Sequence, residues 1–106
     1  MEMIRNIVLG FVRDGVGPTQ VEEALAEVRR LRIDGISMTI RADSDLGLRE
    51  GNASFALIVD LPDTEAYHRY DQDPMHARIR SEVLGPLCSR IERVQVPMPH
   101  TSGPTE

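Results

Sequence analysis

Two stretches of the chain predict strands that are apolar on both faces, and this feature limits the possible folds more than any other. Residues 4–12 are dominated by Ile, Val, Leu and Phe, and residues 53–61 by Ala, Phe, Leu, Ile and Val. Apolar runs of this length are typical of strands. A strand with one face in water alternates polar and apolar residues, and neither stretch does so cleanly. Both predicted strands must therefore be covered on both sides.

The remaining elements alternate between helix and strand. A helix is predicted to open at residues 17–19, because an apolar stripe follows at helical spacing, formed by Val21, Ala24, Leu25, Val28 and Leu31. A second strand is predicted over 33–42, around Gly35, and a polar loop over 43–52. After the third strand, residues 62–64 should cap a short helix that ends near residue 71.

A second helical segment is predicted from Pro74, ended or kinked at Gly85-Pro86, before a last strand over 89–96. The order strand, helix, strand, strand, broken helix, strand predicts an α+β fold. It is the ferredoxin-like βαββαβ arrangement, a four-stranded antiparallel sheet with helices on one face. Residues 1–97 form the predicted domain. Residues 98–106, rich in Pro, Thr, Ser and Gly, are expected to be a flexible tail.

The predicted fold leaves one apolar sheet face without a cover. The simplest cover is a second copy of the chain, so we expect a homodimer whose sheets pack face to face into an α+β barrel. With 17 acidic and 12 basic residues and a net charge of −5, nucleic acid and anionic membranes are poor partners. No apolar stretch has the length of a membrane span. The single Cys88 excludes an intrachain disulfide and fits a reducing cytoplasm.

Residues 70–76 contain the best candidate pair for acid–base chemistry. Proline disfavours helical geometry in the residue before it but fits the first turn of a new helix, so Asp73-Pro74 should end one helix and begin another. Asp73 is then the predicted N-cap, with a side chain able to accept from the backbone N–H of Met75 or His76. In the first turn, the helix dipole disfavours a charged imidazole. His76 should therefore stay neutral, as a general base must. Tyr70 lies six residues upstream.

The chain resembles the stress-responsive dimeric α/β-barrel (Dabb) family over about residues 3–97. The resemblance depends on residues 3–9, the strand segment 55–60, the segment 84–87 and, above all, the pattern Tyr70-x-x-Asp73-Pro74-x-His76. It implies the dimeric barrel fold predicted above. The family contains stress-induced proteins without a settled reaction and a few enzymes.

One related enzyme is the plant olivetolic acid cyclase, which closes a linear polyketide by an aldol condensation without a metal or organic cofactor. By this resemblance, His76 would remove a proton next to a carbonyl, and Tyr70 would orient it and donate to the enolate. The family often has His where this chain has Asn6 and Asp73. Asn6 can hydrogen-bond a carbonyl but cannot carry a proton.

The expected substrate pocket is apolar with one polar group. Asn6 and Val8 share the inner face of the first strand, and a buried Asn needs a partner or a ligand. Ile79 and Val83 lie on the same predicted helix side as His76. These four residues are the candidate substrate-binding residues, for a small hydrophobic or polyketone-like ligand.

The candidate catalytic residues also have simpler structural interpretations. His76 can cap and pack the helix start, and Tyr70 can be a core residue. His68 and His76 with nearby aspartates have no recognised metal-ligand spacing, so no metal site is predicted. Three functions remain open: a cofactor-independent cyclase or lyase, a stress-responsive or ligand-binding protein without catalysis, and a cofactor-free monooxygenase of the α+β barrel type.

Overall fold

The computed structural model describes residues 2–98, which form one antiparallel sheet covered on one face by helices. The sheet order is β2-β3-β1-β4, and its strands are β1 (Met3–Val12), β2 (Thr39–Ser44), β3 (Phe55–Leu61) and β4 (Cys88–Met98). The helical layer contains α1 (Pro18–Arg29), α2 (Thr64–Gln72) and α3 (Pro74–Arg78), then a π-helical turn (Ile79–Leu84) and a 3₁₀ turn (Gly85–Leu87). The predicted ferredoxin-like α+β fold is confirmed.

The strand register decides which side chains face the helices. Asn6 is paired with Val59 of β3 on one side and with Gln95 of β4 on the other. Since paired residues share a face, all three point toward the helical layer. The same rule places Val8 opposite Arg93 on that face.

Helix α1 buries the predicted apolar stripe against this face. Val21, Ala24, Leu25 and Val28 are buried, and Leu31 follows just beyond the helix end. The Arg29 guanidinium fixes the end of α1 to β2 by donating to the Ala42 carbonyl from Nε at 2.9 Å and from Nη2 at 2.6 Å.

The core lies between the helices and the sheet, and its packing requires a glycine in β1. Leu25, Val59 and Leu61 are the largest side chains that are fully buried. The ring of Phe55 lies directly over Gly10, in the space that a Cβ atom at residue 10 would occupy. This close approach explains why an otherwise apolar strand contains a glycine at that position.

The second strand differs from its predicted range of 33–42, because the first part of that range is a loop. Gly35 has a φ of +81°, in the left-handed region that an extended strand does not use. The Ile36 N–H donates to the Ile33 carbonyl at 3.2 Å, closing a turn. Ile33, Ile36 and Met38 still pack against the core. Their burial gives the apolar pattern of a strand without strand geometry.

The other boundaries move by a few residues. β2 continues to Ser44 into the predicted loop, and β3 begins at Phe55 rather than at residue 53. Ser54 is a junction: its N–H donates to the Gly10 carbonyl at 2.7 Å, and its Oγ accepts from the Val12 N–H at 3.0 Å. β4 extends to Met98. Residues 99–106 of the predicted tail lie outside the described residues.

The sheet face opposite the helices carries apolar side chains and paired charges. Leu9 and Val94 are 37% and 51% exposed there. The six charged side chains on this face form three ion pairs within the chain: Arg5 with Asp60 at 2.8 Å, Arg41 with Asp43 at 3.4 Å, and Arg90 with Glu92 at 2.9 Å. We call this surface the open face. No helix within residues 2–98 has the length and apolar character needed to cross a membrane.

Candidate active site

Asp73 sets the relative position of the two candidate catalytic residues. Its backbone N–H donates to the Tyr70 carbonyl at 3.2 Å and ends α2. Its carboxylate accepts from the N–H of Met75 at 2.9 Å and of His76 at 3.0 Å and begins α3, as predicted. One residue therefore links the end of the Tyr70 helix to the start of the His76 helix.

This break brings the Tyr70 and His76 rings into contact. Their centroids are 4.1 Å apart and their planes are inclined by 32°. Helical periodicity does not carry across a proline break, so the pairing could not be deduced from spacing alone. Tyr70 is 5% exposed and His76 is half-buried.

The surroundings of His76 favour its neutral form. Burial lowers the pKa of His76 below its ordinary value of 6.5, and the positive charge of Arg80 lowers it further. The backbone and carboxylate of Asp71 and the carboxylate of Asp73 act in the opposite direction without reversing the shift. Within residues 2–98, Nδ1 of His76 is buried and has no hydrogen-bond partner. A neutral imidazole keeps one nitrogen without a proton, and that nitrogen can accept one.

The surroundings of Tyr70 favour its protonated form. Burial raises the pKa of Tyr70 to about 12, and the polar side chain of Asn6 opposes this only in part. Asn6 is itself oriented by Gln95, whose Nε2 donates to Asn6 Oδ1 at 2.6 Å. The Asn6 amide N–H₂ is then the group left to face Tyr70. The Tyr70 hydroxyl is therefore a donor at neutral pH.

Both rings line a cavity of about 50 Å³ between the helical layer and the sheet. The sheet contributes Asn6 and Val8 of β1, with apolar residues of the other three strands. The helical layer contributes Tyr70, His76 and Ile79. The space has room for a few water molecules, or for one end of a small organic molecule.

The π-helical turn explains which predicted pocket residues reach the cavity. Its hydrogen bonds run five residues back, as in the bond from the Gly85 N–H to the Arg80 carbonyl. Residues five apart then face the same way, and Ile79 and Leu84 both line the cavity. Val83 lies outside this cavity and contacts a surface groove beside α1 instead. Of the four predicted substrate-binding residues, the structure brings Asn6, Val8 and Ile79 together with Tyr70 and His76.

Three charged side chains complete the cavity lining: Asp71, Arg80 and Arg93. Nη1 of Arg80 lies 3.3 Å from Oδ1 of Asp71, and both side chains are close to half exposed. Arg93 reaches the cavity from β4. Sequence reasoning missed Arg80 and Arg93, as well as Gln95. The pairing of β4 with β1 is the signal that places Arg93 and Gln95, and it requires a register that the sequence does not reveal.

The alternative metal site is not assembled in the part of the chain that the structure describes. Within residues 2–98, no three His, Cys, Asp or Glu side chains converge closely enough to hold a metal ion. His68 lies exposed on α2, with its ring edge against Tyr67, and does not line the cavity.

The fold and the cavity together define a class, that of ferredoxin-like α+β domains with a pocket between sheet and helices. The family model for the stress responsive A/B barrel domain matches residues 4–97. The chain belongs to this family, as its resemblance to it implied. No curated protein matches the chain.

Solved structures with the same fold include proteins with and without a known reaction. A dimeric ferredoxin-like protein of unknown function from Thermobifida fusca is 28% identical, with a TM-score of 0.81 and 92% of each chain covered. The hydroxynitrile lyase of Passiflora edulis is 17% identical, with a TM-score of 0.78 and coverage of 96% of this chain and 98% of that one. SnoaB, a cofactor-independent oxygenase from Streptomyces nogalater, is 16% identical, with a TM-score of 0.71 and coverage of 98% and 99%. At such identities, the two enzymes show the fold alone.

Proposed function

We propose that the chain is a cofactor-independent acid–base enzyme that removes a proton from the carbon next to a carbonyl group. The observation that carries this proposal is the contact between a neutral His76 and a protonated Tyr70 at one cavity. A general base must be unprotonated and a hydrogen-bond donor protonated at the same pH. The opposite pKa shifts of the two residues meet both conditions.

In the proposed step, the carbonyl oxygen of the substrate accepts a hydrogen bond from the Tyr70 hydroxyl. The C–H bond on the neighbouring carbon breaks, its proton goes to an imidazole nitrogen of His76, and its electron pair forms the enolate. The Tyr70 donor stabilises the charge that develops on the enolate oxygen. The enolate then regains a proton from His76, or its carbon attacks a second carbonyl carbon. In the second case the new C–C bond forms as that C=O π bond opens, and its oxygen takes the proton from His76, which is the aldol-type ring closure implied by the resemblance to the polyketide cyclase.

The cavity favours a small reacting group. Pockets for drug-sized ligands measure roughly 300–1,000 Å³, whereas this cavity measures about 50 Å³. A long polyketide chain would require the cavity to widen, while a short ketone would not. A lyase reaction on a small molecule is compatible with this size, and a hydroxynitrile lyase is among the proteins that share the fold.

The proposal is tested by hydrogen–deuterium exchange of ketone α-protons, followed by proton NMR in D₂O with butanone and levulinate as probes. We expect exchange above the buffer rate, reduced about 100-fold or more in His76→Gln because the base is lost. In Tyr70→Phe we expect a loss of about 10²-fold, because the enolate loses its donor.

His68→Gln is the matched control, since His68 lies on the same helical layer but outside the cavity. It should exchange at the rate of the unaltered protein. Equal exchange in His76→Gln would refute the role of His76. If the unaltered protein bound these ketones without exchanging their protons, the alternative function of ligand binding without catalysis would replace the proposal.

We also propose that two copies pair through the open face to form the dimeric barrel. Leu9 and Val94 expose apolar surface there, and the six charges that the strands place on this face are paired within the chain, so covering it leaves none of these six without a partner. The similar protein from Thermobifida fusca is described as dimeric. Cys88 is buried and free, and on it we base a proposed cytoplasmic location.

A further inference from the structure

The lining of the cavity carries a net positive charge in a chain whose net charge is −5. Arg80 and Arg93 both line it, and within residues 2–98 Asp71 is the single acidic side chain in its lining. Counting these three side chains, the charge at the cavity is +1. A local charge of the opposite sign to the whole chain calls for an explanation beyond solubility.

One ion pair holds the Arg80 guanidinium in place and leaves most of its hydrogen-bond donors free. Its one ion pair within residues 2–98 joins Nη1 to Asp71 Oδ1 at 3.3 Å. A guanidinium has five N–H donors, so most of those on Arg80 remain available. Its charge also lowers the pKa of both Tyr70 and His76, so the guanidinium is close enough to act on the two reactive side chains.

Arg93 faces the same cavity from the sheet. It is paired with Val8, which places it on the helix-facing side of β4, two residues from Gln95. Arg93 forms no ion pair with any other residue in the range 2–98. By contrast, Arg5 and Arg90, on the opposite face of the sheet, each form an ion pair with an acidic residue.

We infer that the substrate is an oxo acid, whose carboxylate binds Arg80 and Arg93 while its carbonyl reaches Tyr70 and His76. The inference rests on the proposed function and names its substrate class. A guanidinium matches a carboxylate through two parallel N–H···O bonds, and this geometry orients the ligand as well as binding it. The small cavity then receives the carbonyl end, and the charged end stays at the arginines.

The inference is tested by measuring dissociation constants by NMR titration with three probes of similar size. Levulinate has both groups, methyl levulinate lacks the anion, and pentanoate lacks the ketone. We expect levulinate to bind about tenfold or more tightly than either of the other two, since hydrogen bonds to charged groups are among the strong ones. Pyruvate and acetoacetate, which shorten the spacing between carboxylate and ketone, report the distance that the site prefers.

Arginine variants identify the groups responsible. Arg93→Gln and Arg80→Gln should each weaken levulinate binding about tenfold and leave methyl levulinate unchanged. Arg49→Gln is the matched control, because Arg49 is exposed in the β2–β3 loop and outside the cavity. It should change neither constant.

Equal affinity for levulinate and its methyl ester would overturn the inference, and so would arginine variants that keep the preference for the acid. Equal affinity for levulinate and pentanoate would show that the ketone makes no contact and would overturn it as well. These readouts are separate from proton exchange. If the protein exchanges butanone protons but shows no preference for acids, the inference is wrong and the proposed function stands. If binding depends on the arginines but no exchange occurs, the proposed function is wrong and the carboxylate site stands.

Discussion

Tyr70 and His76 are driven toward their uncharged forms by the same cause, which is removal from water. For the imidazole this lowers the pKa, and for the phenol it raises the pKa to about 12. Arg80 adds to the effect on His76 and reduces it on Tyr70. Perturbed groups that meet in a cavity are a recognised mark of a functional site.

The pKa shift of His76 predicts a specific dependence of the exchange rate on pH. The base form increases as pH rises through the pKa of His76, so the rate should rise with pH through a midpoint that lies below 6.5, the ordinary value for histidine, and then level off. Tyr70 remains protonated across neutral pH and adds no decline there. The check is a rate profile together with an NMR titration of the His76 ring.

Arg80→Gln provides the internal test of that profile. Removing the positive charge that lowers the pKa of His76 should move the acidic limb to higher pH, whereas Arg49→Gln should leave it in place. An unchanged limb in Arg80→Gln would mean that the titrating group is not His76.

For individual residues, the sequence could predict contacts between positions close along the chain but not contacts between positions far apart along it. The Asp73 cap follows from residues a few positions apart and is present. The pKa of His76 is lowered, but by burial and Arg80 rather than by the helix dipole on which the sequence argument rested. Gln95 reaches Asn6 from 89 positions away, through the pairing of β1 with β4. Nothing in either local sequence fixes that register.

Among the elements, the broken helix is the one on which the site depends. Asp73 serves as the C-cap of α2 through its backbone and as the N-cap of α3 through its side chain. Asp63 caps α2 alone, with its carboxylate accepting from the Ala66 N–H at 2.8 Å. Within residues 2–98, two aspartate carboxylates thus cap helix N-termini, and one of them adjoins the site.

This pair allows stability and activity to be separated. Asp73→Ala and Asp63→Ala should each lower the free energy of unfolding by about 1 kcal/mol, the usual effect of losing an N-cap side chain. Only Asp73→Ala should also reduce proton exchange strongly, since His76 loses its anchor to the helix start. The measurements are urea unfolding and the exchange assay. Equal activity in the two variants would contradict the positioning role of Asp73.

Two elements departed from their predictions for related reasons. The apolar spacing of 33–42 and of the second helical segment shows which residues are available for burial, and it does not identify backbone geometry. In the first segment, Gly35 has a left-handed backbone conformation, so the chain turns there instead of continuing as a strand. A π-helical turn shifts the buried positions of the second to Ile79 and Leu84 and turns Val83 away from the cavity. Whether hydrogen bonds run four or five residues back is settled by tertiary packing, which the pattern alone does not contain.

For the whole molecule, the apolar character of both strand faces was the most informative prediction. The helices account for one face, where Leu57 and Val59 are buried. The other face contains Ile7 and Ile58, which are only half-buried in the single chain. The sequence therefore predicted the fold class, and it also predicted that the second apolar face would need a partner surface.

The proposed dimer predicts a clear response to a charge placed on the open face. Val94→Glu should give a folded monomer at micromolar concentration, because a carboxylate buried between two sheets loses its hydration without gaining a partner. Thr19→Glu, on the exposed side of α1, is the control and should remain dimeric. Sedimentation measures the mass and circular dichroism verifies the fold. A stable monomer of the unaltered chain at that concentration would refute the pairing.

The three ion pairs of the open face affect the specificity with which one chain pairs with another. Because the six charges that β1–β4 place on this face are paired within their own chain, these strands present no unmatched charge with which to attract one partner or repel another. Discrimination must then come from the fit of apolar side chains such as Leu9 and Val94. A related chain with similar side chains at these positions could form mixed pairs with this one, and cells that make both would contain hybrid barrels with two different cavities.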